Sequence, residues 1–203
     1  MDKGRYTQFH EMCGTVEKRF GRQGHLQLKG LDLSVLKCKK LLDFGAGRGL
    51  NSQWCDKYYT LDADASLEPN FVDITQAQES GIIFDSIIAN QVFEHIELDA
   101  IDNVIFSLGQ MMKKDGIFVA TIPNVHRGTY YFNDIDHKSP LMYYHLASFF
   151  ELNGFKVVDA YRYSKNIGAI IDADAETKKI MEILETFYEL DPAQFLAVVA
   201  RRI

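Results

Sequence analysis

A chain of 203 residues, 47% hydrophobic and 25% charged, has the size and balance of one soluble globular domain with a full core. Its net charge of −6, with no compensating block of basic residues, speaks against a nucleic-acid backbone as the main partner. No apolar run approaches the roughly 20 residues of a membrane span, and the opening MDKGRYTQFHEM lacks the apolar core of a signal peptide. Cys13, Cys38 and Cys55 have no metal-like spacing and suit a reducing compartment, so a cytoplasmic protein is expected.

Phe9, Met12, Val16 and Phe20 recur at helical spacing and predict an amphipathic helix over about residues 4–20, ended by Gly21 and Gly24. A short helix is predicted over 31–36. Residues 1–37 thus form an N-terminal helical cap, over either the substrate pocket or the sheet edge. A first strand follows over 40–44 and closes on Asp43 and Phe44. Gly45, Gly47 and Gly49 then stand at alternate positions. Glycine suits a tight turn that a ligand approaches closely, because it has no Cβ and tolerates positive φ. Asn51 to Lys57 predicts a brief helix, so the order is strand, turn, helix start, where open α/β sheets bind nucleotide-like ligands.

The chemistry of that turn narrows the ligand. A dinucleotide site reads G-x-G-x-x-G and sets a pyrophosphate on a helix N-terminus. Here position 50 is Leu50, and Asp43 precedes the first glycine by two residues. A carboxylate there is a poor neighbour for a phosphate and a good one for a cation. The stretch LLDFGAGRG resembles motif I of the class I S-adenosylmethionine (SAM)-dependent methyltransferases, whose cofactor carries an ammonium and a sulfonium and no phosphate.

Further on, 58–62 reads as a second strand ending on Asp62, with Ala63 and Asp64 next; an acid there, Asp62 first and Asp64 second, is placed to accept hydrogen bonds from a ribose diol, and Ala63 joins the cofactor set beside it. Phe71 to Thr75 predicts a short third strand. The methyltransferase resemblance places the adenine on Asp73 and Ile74. A short helix is predicted over 75–81, and the near-continuous apolar run 82–90 predicts a central parallel strand. FDSIIANQVFEHI resembles motif IV of the small-molecule branch that includes the ubiquinone-biosynthesis O-methyltransferases. That likeness makes Asn90 and Gln91 a wall beside the methionine part of SAM. It completes the cofactor set with Asp43, Gly45, Ala46 and Gly47.

Glu94 and His95 admit a chemical reading, as a base or as ligands for a divalent cation, and a structural one. Relatives such as the small-RNA 3′-end methyltransferases write E-x-x-E-H and pair it with a later histidine to hold a metal. This chain has Gln91 at the first position, which removes one anionic oxygen ligand. The structural reading is therefore preferred: Glu94 complements a helix dipole, His95 makes a structural hydrogen bond, and no metal is assigned.

A helix over 99–114, closed by Lys113-Lys114-Asp115-Gly116, leads to a fifth strand over 117–124. Residues 124–145 make a substrate-side loop and helix start, with His126, Arg127, Tyr130, Tyr131, Asp134, Asp136 and His137. His137 is the first candidate for a general base and His95 the second, and His137 has an equal reading as a tie that holds the loop together through Asp134 or Asp136. A helix over 141–153, a strand over 155–163, a helix over 173–190 and a last strand over 195–199 complete the chain. The expected fold is one domain, 1–203: a Rossmann-like, seven-stranded, mostly parallel α/β sheet with helices on both faces and an antiparallel C-terminal edge. The expected activity is methyl transfer from SAM to an oxygen, nitrogen or carbon of a small-molecule acceptor. A non-catalytic scaffold of the same fold and an NAD-dependent oxidoreductase are the alternatives.

Overall fold

The computed structural model describes residues 2–21, 25–26, 31, 33–36, 38–125, 129–163, 175–176, 179 and 195–203. Helix α1 (Lys3–Phe20) is capped by the Asp2 side chain, which accepts from the Arg5 N–H, and it buries Phe9, Cys13 and Val16. Seven strands form one sheet: β1 (His25–Leu26), β2 (Cys38–Phe44), β3 (Cys55–Leu61), β4 (Phe84–Asn90), β5 (Met112–Pro123), β6 (Phe155–Tyr163) and β7 (Phe195–Arg202). Their order is β1-β6-β7-β5-β4-β2-β3. Six are seven residues or longer, and β1 has two residues. The helices α2 (Ile74–Glu79), α3 (Ile101–Gln110), α4 (Thr129–Phe132) and α5 (Tyr143–Leu152) lie between strands in the chain.

The pairing is parallel from β5 through β4 and β2 to β3. Among the described strands only β7 runs against its neighbours, hydrogen-bonded to β5 on one side and β6 on the other, so the antiparallel element comes from the C-terminal part of the chain as expected. β4 is covered on both faces: Ile87, Ile88 and Ala89 are fully buried, in keeping with its unbroken apolar run. One face carries the larger core, with Phe84, Phe93, Phe118, Phe149, Phe150 and Phe155. A smaller cluster of Leu36, Leu41, Ile88, Tyr161 and Tyr163 fills the other. α1 joins the larger core through Phe9, whose ring lies 4.5 Å from that of Phe149.

Four local expectations need correction. Residues 71–75 are not a strand: Phe71 makes one bridge to Leu61, and Asp73 then caps α2. The seventh strand is β1, at the opposite edge. No α-helix follows the glycine turn. Ser52–Trp54 is a single 3-10 turn and Cys55 already pairs with Cys38, because strand pairing overrides a weak helical tendency. Lys113 to Gly116 does not end a helix. α3 stops at Gln110, and those residues form an irregularity within β5, between the pairs Phe84–Met112 and Ser86–Ile117. Phe93–His95 is a single 3-10 turn, not the start of a longer helix whose dipole Glu94 would complement. The predicted helix over 173–190 falls largely outside the described residues, though 175–176 and 179 are helical, and His126 and Arg127 fall outside them as well.

Candidate functional site

The direction of chain progression reverses between β2 and β4, since β3 lies on one side of that pair and β5 on the other. Ligands of open α/β sheets bind beyond the carboxyl ends of strands at such a point. Phe44 is in register with both Leu61 and Ala89, so the ends of β2, β3 and β4 form one rim. Asp43, the glycine turn, Asp62 and Asn90 all lie on it.

Gly45, Gly47 and Gly49 have φ of +69°, +50° and +68°, which explains their alternation: each turns the backbone through the left-handed region. A Cβ on Gly45 would also stand 2.4 Å from Val92 Cγ2. Four amides of the turn are bonded within the protein. Gly45 N–H and Ala46 N–H donate to the Leu61 carbonyl, at 2.8 and 3.3 Å. Gly47 N–H donates to Asp62 Oδ2 at 2.7 Å, and Gly49 N–H to the Ala46 carbonyl at 2.9 Å. Donors spent on protein acceptors are not offered to a phosphate, and no α-helix begins here to add its dipole.

Two carboxylates flank the turn. Asp43 is 1% exposed. Its Oδ2 accepts from Tyr58 OH at 2.5 Å and Asn51 Nδ2 at 2.8 Å. Burial pushes the Asp43 carboxyl up from its ordinary range, and those two donors oppose the shift. Asp62 Oδ1 accepts from Asp64 N–H at 2.9 Å, so this half-buried side chain ties the β3 tip to the turn. Ala63 is exposed beside it. Asp73 Oδ1 accepts from Gln76 N–H at 2.8 Å as the cap of α2, and Ile74 packs against the larger core. These acids keep further lone pairs.

At the end of β4, Asn90 Oδ1 accepts from Thr121 Oγ1 at 2.7 Å. Gln91 takes a left-handed φ of +58° and donates through its amide and Nε2 to the same Thr121. Strain of that kind persists where surroundings over-determine it. Gln91 also borders a cavity of about 450 Å³, lined with Glu94, His95, Pro123, Asn133, Asp134 and His137. His95 and His137 lie together here, with ring centroids 4.8 Å apart. Glu94 is buried rather than facing water at a helix end, and burial pushes its carboxyl up to about 8. Of the loop residues singled out from the sequence, Tyr131 is buried and Asp134 and Asp136 are exposed.

Sequence reasoning missed Tyr58, Asn51 and Thr121, which hold Asp43, Asn90 and Gln91. In sequence Asn51 signals only a helix opening, and nothing in the residue order pairs Tyr58 or Thr121 with its partner. The solvent exclusion of Glu94 was missed as well.

A doubly wound sheet with a glycine turn and acidic rim at its switch point defines a Rossmann-like enzyme that binds a nucleoside cofactor. The chain belongs to a methyltransferase-domain family, whose model matches residues 6–160. It is therefore a methyltransferase, and the family implies SAM as its methyl donor. Its fold is similar to that of a SAM-dependent methyltransferase from Archaeoglobus fulgidus, with a TM-score of 0.66 at 20% identity over 99% of this chain and 100% of the other. It is also similar to a methyltransferase from Haloferax volcanii solved with the activator Trm112: TM-score 0.56, 12% identity, 99% and 98% covered. For a Listeria monocytogenes methyltransferase the values are 0.54, 11%, 86% and 95%. No curated protein matches the chain in sequence. Among the described residues no helix is long and apolar enough to cross a membrane.

Proposed function

We propose that the rim of β2, β3 and β4 binds SAM, and that the neighbouring cavity receives a small-molecule methyl acceptor. The observation that carries this reading is the electrostatic character of the turn: the amides of Gly45, Ala46, Gly47 and Gly49 are spent internally and buried Asp43 stands at its base. The residues fit a cationic amino-acid nucleoside. Asp43 holds the ammonium, Asp62 with Ala63 the ribose, and Asp73 with Ile74 the adenine. Gly45, Ala46 and Gly47 let the cofactor lie against the backbone. Asn90 and Gln91, locked by Thr121, wall its methionine part.

SAM supplies an activated methyl group. The protein's task is to orient the acceptor in line with it and to exclude water. His137, with His95 behind it, is the candidate base for an acceptor that arrives protonated. The acidic chain favours a small molecule over a nucleic acid, and the motif IV likeness favours the ubiquinone-type O-methyltransferase branch. Unpaired Cys13, Cys38 and Cys55 fit a cytoplasmic setting. Residues 1–37 and 124–145 are assigned as the cap and the acceptor-side loop of a single domain.

Competition calorimetry tests the cofactor site: S-adenosylhomocysteine should bind and NADH should not. Tight NADH binding without S-adenosylhomocysteine binding overturns the assignment. Incubating metabolite pools with methyl-labelled SAM then identifies the acceptor by which compound gains the label.

A further inference from the structure

The cavity beside β4 contains a buried carboxylate that has no partner side chain among the described residues. Glu94 is 1% exposed, and among the described residues no other residue donates a hydrogen bond to Oε1 or Oε2. Buried carboxylates are ordinarily paired, hydrogen-bonded or coordinated. The main chain around it is tightly held. Its carbonyl accepts from Lys138 N–H at 2.7 Å and Ser139 N–H at 3.0 Å, and Ser139 Oγ donates to the Ile96 carbonyl at 2.6 Å. These bonds dock the loop that bears His137 against the segment that bears Glu94 and His95.

The two imidazoles are oriented alike. His137 Nδ1 lies 2.7 Å from the Tyr131 carbonyl, and His95 Nδ1 lies 3.3 Å from the Asp136 carbonyl. A carbonyl only accepts, so each Nδ1 is the donor, and in the neutral ring that leaves the Nε2 lone pair free to bind a metal. Metal-binding histidines are held in this way, the second ring nitrogen donating to a carbonyl or carboxylate. One ligand atom from each of Glu94, His95 and His137 lies within 4.8 Å of the other two. A four-coordinate ion with bonds of about 2.0–2.1 Å sets its ligand atoms roughly 3.3 Å apart. Modest side-chain rotation therefore closes the set.

We propose that Glu94, His95 and His137 bind a divalent first-row transition ion of the zinc type. Two of the three donors are imidazole nitrogens, which suit such an ion better than magnesium or calcium. The sequence argued against a metal because position 91 is a neutral glutamine. The site does not need that oxygen, since His137 supplies the third ligand from a distant part of the chain. Asp134 Oδ2, 3.8 Å from His137 Nε2, adds negative charge that a cation neutralises. The coordination positions left open face the cavity. If the acceptor enters there, which rests on the function proposed above, the ion selects acceptors that carry an oxygen donor.

The full chain, stripped with chelator, is titrated with Co2+ and then Zn2+. One Co2+ per chain is expected, with visible absorption of low coordination number, displaced by one Zn2+. Proton spectra of the Co2+ form should show two exchangeable, strongly shifted imidazole N–H signals, which counts two histidine ligands without substitution. E94Q and H137N should each weaken Zn2+ binding by a hundredfold or more, and H10A on α1 should leave it unchanged. S-adenosylhomocysteine binding, measured on every sample, reports separately on the cofactor site. Wild-type protein that binds S-adenosylhomocysteine but no stoichiometric Co2+ overturns the metal site alone. So do shifted signals from fewer than two histidines, or equal Zn2+ affinity in well-folded E94Q. Stoichiometric Co2+ without S-adenosylhomocysteine binding would overturn the cofactor assignment and leave the metal site standing.

Discussion

Asp43 carries a charge into the protein interior, and two neighbours make that tolerable. Tyr58 OH and Asn51 Nδ2 both donate to Oδ2, while Oδ1 receives no donor from the described residues and remains for an ammonium. Removing one partner of a buried ion pair costs about 3–5 kcal/mol. D43A should therefore lower S-adenosylhomocysteine affinity by a hundredfold or more, measured by calorimetry. Y58F tests the support rather than the contact. A hydrogen bond to a charged group contributes about 1.5–3 kcal/mol, and this one holds the Asp43 pKa down against burial. Without it the carboxyl takes up a proton at a higher pH. Y58F should bind S-adenosylhomocysteine about tenfold more weakly, and the deficit should grow as pH falls, because the raised carboxyl is protonated sooner without that donor. A deficit independent of pH would show that Tyr58 acts only through packing.

Among the elements, α1 is bound to the domain at both ends. Arg5 Nε and Nη2 donate to the two oxygens of Asp102 on α3, at 2.9 and 2.7 Å, and Phe9 packs on Phe149 of α5. Tyr143 OH donates to the Gly21 carbonyl just beyond the helix. F9A should cost about 3–4 kcal/mol in urea unfolding. A loss well under 1 kcal/mol would mean that α1 is peripheral. The start of α5 supplies a pH signature. Burial pushes the His145 pKa down to about 4, and its Nδ1 accepts from Met142 N–H. The folded protein holds this imidazole neutral while the unfolded chain protonates it near 6.5. Its contribution is whole above about pH 6.5 and is lost as pH falls toward 4, by about 2–3 kcal/mol. H145Q should flatten that part of the stability–pH curve. Elements were legible from the chain where residue pattern and tertiary pairing agree. α1 and β6 lie close to their predicted spans, and β4 showed in its apolar run. Phe71-Val72-Asp73-Ile74-Thr75 has strand-forming residues, but Asp73 leaves the sheet to cap a helix. Asn51 to Lys57 looks helical until the register of Cys55 with Cys38 is known. At the site, the glycine spacing and the acids of the rim were readable because a turn and a strand tip are local. The solvent exclusion of Glu94, and the meeting of His95 with His137, depend on contacts distant in sequence.

For the whole molecule, the sheet places two chemically different regions side by side. The acidic rim belongs to β2, β3 and β4, and the histidine cavity lies past the ends of β4 and β5, bordered by Pro123. Gln91 touches both, held by Thr121 of β5. A shift of β5 against β4 would thus be felt in both regions at once.

The placement of β7 governs how the molecule can be assembled. It lies between β5 and β6, although it follows both in the chain. During synthesis β5 leaves the ribosome with one hydrogen-bonding edge bare, and that edge stays bare while β6 is made. An open edge templates pairing between chains. Nascent chains arrested with residue 190 at the tunnel exit should be cut by protease across 112–123, whereas chains that expose residue 202 should resist. Equal resistance at both lengths would mean that some other segment guards β5 in the interim.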